Sequence, residues 1–126
     1  MNGLLIGRFQ PFHLGHLDAV LFALSRVENL WIGIGSSNKH NEKKNPFAAD
    51  ERKEMIVSSI EPSIIDRISI FNIPDVDNHE KWTFEIDQIV PKYDIVFTND
   101  EFTKTLFGKR GIDVITVTLK EREKFS

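Results

Sequence analysis

The stretch "GLLIGRFQPFHLGH", Gly3 to His16, decides the architecture. Its first half is a short apolar run without polar alternation, the pattern of a strand buried on both faces of a sheet. Pro11 closes the run, because a residue lacking an N–H does not continue a central strand. The second half carries Arg8, His13 and His16 to the start of an amphipathic segment. There Leu17, Val20, Leu21, Leu24 and Val27 recur at helical spacing on one face. A strand that turns within a few residues into a helix is the first half of a βαβ unit.

The same alternation continues along the chain. "LWIGIG" (30–35), "RISIFNI" (67–73), "DIVFT" (94–98) and "IDVITVT" (112–118) are rich in Ile, Val, Leu and Phe and read as strands. Between them "DERKEMIVSSI" aligns Met55, Ile56, Ser59 and Ile60, and "HEKWTFEIDQIV" aligns Trp82, Ile86, Ile89 and Val90. "EFTKTLF" reads as a shorter helix stopped by Gly108 to Gly111. This order predicts an α/β protein, a Rossmann-like open parallel five-stranded sheet with helices on both faces, in one domain over residues 1–126. The polar stretch 36–46 reads as a loop after the second strand.

The totals narrow the function. With 126 residues the chain is one domain's worth, large enough to bury a core without staples. Cysteine is absent, so a metal would be held by oxygen or imidazole alone. No apolar run approaches the ~20 residues that cross a bilayer, and the N-terminus has no cationic lead-in to an apolar segment. A cytoplasmic protein without a membrane partner is the expectation. The net charge of −3 argues against a general nucleic-acid binder. Any polyanion must be held by a local arrangement.

Arg8 to His16 supplies one. Ligands of open parallel sheets bind beyond the carboxyl ends of the strands, where the strand order reverses. A helix opening near Gly15 and His16 points free N–H groups and its positive dipole end into that crevice, a setting that attracts phosphate. His13 and His16, about one turn apart, both reach an anion placed there. Two plainer readings stand beside this one: a helix-start histidine as an ordinary hydrogen bonder, and the pair as metal ligands, although no third ligand stands nearby. "GIGSS" (33–37) is not a dinucleotide fingerprint, since no helix with a third glycine opens behind it. Trp82 on an apolar helix face reads as core packing.

Taken together, "GRFQPFHLGH" resembles the first motif, His-x-Gly-His, of the nucleotidylyltransferases, and its flank is most similar to the archaeal-type nicotinamide mononucleotide (NMN) adenylyltransferases. "IGSSNKHNEKKNPFAADERKEMI", "IPDVDNHEKW" and "FTNDEFTKTLF" resemble later segments of the same family, so the likeness runs along essentially the whole chain. The resemblance implies ATP and NMN as substrates, AMP transfer to the NMN phosphate to give NAD and pyrophosphate, and Mg²⁺ carried mainly by ATP. It implies catalytic roles for His13, His16, Arg8 and Lys44. Gly7, Phe9, Gln10, Gly15, Gly35, Ser36 and Asn99 would bind ATP or NAD, and Trp82 and Asn78 the nicotinamide. No protein metal ligands are implied, and a homo-oligomer is. Other acceptors (pantetheine phosphate, FMN, a polyol phosphate) and a weakened nucleotide-binding protein remain as alternatives.

The family continues with Ser-Gly-Thr-x-Ile/Val-Arg and further helices, whereas this sequence ends at "EREKFS". The expectation is a domain truncated at its C-terminus, with Ser126 opening that motif and ATP held more weakly without its arginine.

Overall fold

The computed structural model describes residues 1–40 and 42–118; the reading of Ser126 lies outside the described residues. The chain forms β1 (Asn2–Gly7), α1 (Leu14–Leu24), β2 (Asn29–Gly35), α2 (Ala49–Ser59) and α3 (Pro62–Ile65). It continues with β3 (Ile68–Ile73), α4 (His79–Ile89), β4 (Ile95–Thr98), α5 (Glu101–Lys109) and β5 (Asp113–Thr116). The five strands pair in the order β3-β2-β1-β4-β5, each with its neighbours in parallel. The predicted strands and longer helices are all present, and α3, a single turn opened by Pro62, was not foreseen.

The two-residue period of β1 divides the core into two layers. Leu5 faces a layer with Val20 and Leu24 of α1 and Ile56 of α2. Leu4 and Ile6 face the other, with Ile86 of α4 and Phe107 of α5. Hence the apolar run 3–7 shows no polar alternation: both faces of β1 are covered. Gly33 has a packing reason, since a Cβ there would collide with the end of the Ile73 side chain.

Three positions expected on buried faces lie outside. Leu21 and Ile89 are exposed, as is Ser59. The stripe that α1 buries runs through Ala19, Val20, Ala23 and Leu24, where two alanines let the helix sit close to the sheet. Leu21 stands about 100° round the helix from Val20 and falls outside that stripe.

Strand order fixes the place of the site. From β1 the chain moves out through β2 to β3, then crosses back to β4 on the other side of β1. The connections leaving β1 and β4 therefore diverge, and a crevice opens between them at the carboxyl ends of the strands.

Candidate active site

A cleft of about 730 Å³ occupies that crevice. Its walls come from the ends of β1 (Gly7 to Pro11), β2 (Gly35, Ser36) and β4 (Thr98, Asn99), with His13 and His16 at the start of α1. A second space of about 510 Å³ adjoins it, and Asp75, Trp82, Asp100 and Thr103 line both.

The two histidines are held by the helix they open. His13 is the N-cap of α1, and its Nδ1 accepts from the Gly15 N–H at 3.0 Å. The Nδ1 of His16 accepts from the His13 N–H at 3.1 Å, a capping box in which both side chains are imidazoles. Each Nδ1 is thus committed as an acceptor, which places the proton of each neutral ring on Nε2. The rings lie 3.8 Å apart between centroids, and His16 also packs edge-on to Phe9 and stacked on Phe12. Burial, then the neighbouring His13, lowers the His16 pKa to about 4. At neutral pH His16 is an uncharged donor. Of the N–H groups at this helix start, that of Gly15 is already bonded to His13.

Two tight turns complete the walls. Phe9 and Ser36 adopt positive φ angles of 53° and 51°. Each costs about 1–2 kcal/mol for a residue with a Cβ and needs support from its surroundings. The support is Arg52 of α2, a fully buried arginine. Its guanidinium donates to the carbonyls of Arg8 (3.0 Å), Gly35 (2.8 Å), Ser36 (3.0 Å) and Lys39 (3.2 Å). Its Nε donates to Ala48 O at 3.3 Å, within its own helix start. Burial and the nearby Arg8 lower its pKa from the ordinary value while Asp75 acts the other way; an arginine keeps its charge regardless. Sequence reading placed Arg52 in the segment that resembles the family's but gave it no role. The signal it passed over was the position of Arg52, four residues before the buried Ile56 and so on the inward face.

Gln10 clasps the other side. Its Nε2 donates to Phe47 O at 3.1 Å and its Oε1 accepts from Phe47 N at 2.9 Å, so "RFQPF" and "NPF" are tied as two strands would be. Ser36 Oγ donates to both Asp75 carboxylate oxygens at 2.9 and 3.1 Å, joining the loop after β2 to the loop after β3.

Of the residues expected from sequence, Arg8, His13, His16, Gly7, Phe9, Gln10, Gly35, Ser36, Asn99 and Trp82 come together around the cleft. Trp82 packs against the core at Phe107, 6.4 Å between ring centroids, and also lines the two spaces. Gly15, Lys44 and Asn78 are not brought to the wall. Gly15 is buried in the first turn of α1, and Lys44 is exposed on its loop. The Asn78 side chain is spent capping α4 by accepting from the N–H groups of Glu80 and Lys81. Asp75, Asp100 and Thr103 line the cleft without having been foreseen.

Residues 4–125 match the cytidylyltransferase-like family, and the chain belongs to it. Within that family it groups with the nicotinamide-nucleotide adenylyltransferases. It is 39% identical to that of Thermococcus sibiricus, over 100% of this chain and 69% of that protein. Against that of Pyrococcus horikoshii it is 35% identical, over 100% of this chain and 68% of that protein. Among solved structures, the bifunctional NMN adenylyltransferase/ADP ribose pyrophosphatase of Francisella tularensis, complexed with AMP and a manganese ion, superposes with a TM-score of 0.81 at 28% identity. That likeness covers 96% of this chain and 38% of the bifunctional protein.

Proposed function

We propose that the protein transfers AMP from ATP to the 5′-phosphate of NMN, forming NAD and releasing pyrophosphate. The observation that carries this reading is the histidine capping box: it fixes two imidazole Nε2–H donors beside Arg8 at the switch point of the sheet, in a chain of this family. A phosphate oxygen of NMN, already anionic at neutral pH, attacks the α-phosphorus of ATP in line. A new P–O bond forms as the bond to the β-phosphate oxygen breaks. No serine, cysteine or carboxylate is needed to make a nucleophile. What the chain supplies is alignment of two anions and neutralisation of charge in the five-coordinate state.

His13 and His16 donate from Nε2, and Arg8, exposed at the cleft wall and donating to Asn45 Oδ1 at 3.4 Å, adds a full charge. Trp82 offers a ring face to the pyridinium of NMN, favourable for a cation. Asn99 and Ser36 form the adenylate side; Lys44 belongs to this proposal as a contact made only once substrates are in place, and Gly15 and Asn78 as the residues that fix the starts of α1 and α4. Among the described residues no three His, Asp or Glu side chains converge as a metal-binding group. The donors at the cleft suit Mg²⁺ brought in on the triphosphate, where it offsets phosphate charge while keeping its waters.

No helix among the described residues is long and apolar enough to cross a membrane. A cytoplasmic homo-oligomer is part of the same proposal, supported by Leu14, Leu21 and Phe22 exposed along α1. The test is incubation with ATP, Mg²⁺ and NMN and chromatography for NAD, beside a His16→Ala variant. NAD from the wild type at a rate about 10²–10³ times that of the variant is expected. No NAD, or equal rates, would refute the assignment.

A further inference from the structure

Arg52 stands behind the cleft wall rather than in it. Among the described residues every acceptor its side chain meets is a backbone carbonyl, and four of the five belong to the two loops that form the nucleotide side of the cleft. The peptide bonds after Arg8 and Gly35 are trans, since the one cis bond among the described residues is Gln10–Pro11. In a trans peptide the N–H points opposite to its C=O. Two carbonyls drawn back to Arg52 therefore turn the Phe9 and Ser36 N–H groups away from it, and both residues line the cleft. The positive φ angles at these same two residues are the conformations that permit this. Among the described residues none of the side chain's hydrogen-bond acceptors is a carboxylate, and Asp75 acts on the guanidinium without a hydrogen bond to it, so a buried positive charge lies behind an anion site.

We propose that Arg52 is a positioning residue for triphosphate binding: it orients the Phe9 and Ser36 amides toward the phosphates, and its charge is offset when they arrive. This rests on the reading of the cleft as an ATP site. A residue that merely stabilised the fold would weaken all ligands alike. One that acts on phosphates weakens them in order of phosphate number.

The experiment measures the affinities of adenosine, AMP and ATP by calorimetry in the wild type, Arg52→Met and Arg52→Lys, with melting curves beside them. For Arg52→Met the expected losses are about tenfold for ATP, about threefold for AMP and under about twofold for adenosine, following the charge carried. Arg52→Lys, which keeps the charge but not the fork that spans two loops, should fall between. Equal losses for all three ligands, or a folded Arg52→Met that binds ATP as the wild type does, would overturn the proposal. Should the variants not fold, the wild type suffices: titration with ATP should move the Phe9 and Ser36 amide protons downfield, and unmoved signals would refute it. A wild type that does not bind ATP at all would instead sink the reading of the cleft.

Discussion

The most exacting consequence of the site concerns proton linkage at His16. Its pKa falls from 6.5 in the unfolded chain to about 4 in the folded one, because burial and His13 disfavour the charged ring. The folded-state value is the lower, so the unfolded chain takes up the proton first as pH drops. Stability contributed by neutral His16 is complete above pH 6.5, declines between 6.5 and 4, and levels off below. For this shift the loss is about 1.4 kcal/mol at pH 5.5 and about 2.5 kcal/mol at pH 4.5. Solvent at the cleft mouth screens the charged ring and brings the second figure to about 1.5–2.5 kcal/mol. Urea unfolding of the wild type and His16→Gln at pH 7.5, 5.5 and 4.5 isolates the effect, since carboxylates elsewhere titrate in both. The stability advantage of the wild type should shrink by that amount between pH 7.5 and 4.5. An advantage constant across the range would refute the account of His16 as a buried neutral donor.

Other predictions follow from single contacts. Trp82→Ala should weaken NMN by about 1–3 kcal/mol, the range for losing an aromatic platform under a base, and leave ATP affinity within about twofold. Calorimetry with each substrate decides it. A Cβ on Gly7 would come 2.8 and 2.9 Å from the Phe9 ring; Gly7→Ala should therefore cost about 1–3 kcal/mol in denaturant and lower kcat by displacing the turn at Phe9. Gln10→Leu removes two hydrogen bonds to Phe47 and should cost about 1–3 kcal/mol by thermal melting, with a raised KM for ATP as "NPF" drifts from the wall. Stripping divalent cations with a chelator should abolish NAD formation, and adding back Mg²⁺ should restore it.

Sequence alone settled the order of the strands and longer helices and the first motif. Strand and helix patterns differ in period, and β1, with apolar residues on both faces, had to be central in a parallel sheet. The strand–turn–helix of Gly3 to His16 placed Arg8, His13 and His16 together because they are close in the chain. It did not reveal how the histidines are spent: that Nδ1 of each is consumed in capping α1 depends on backbone geometry, not on spacing. Nor did it reveal that Asn78 caps α4, or that Leu21 lies outside the buried stripe, since helical periodicity leaves the width of a face open. Arg52 is the clearest case. In the sequence it is one charge among several in "DERKE"; in the fold it binds carbonyls that lie up to 44 positions away. Such a partner set is decided by which loops the sheet order brings side by side, and local pattern carries no record of that.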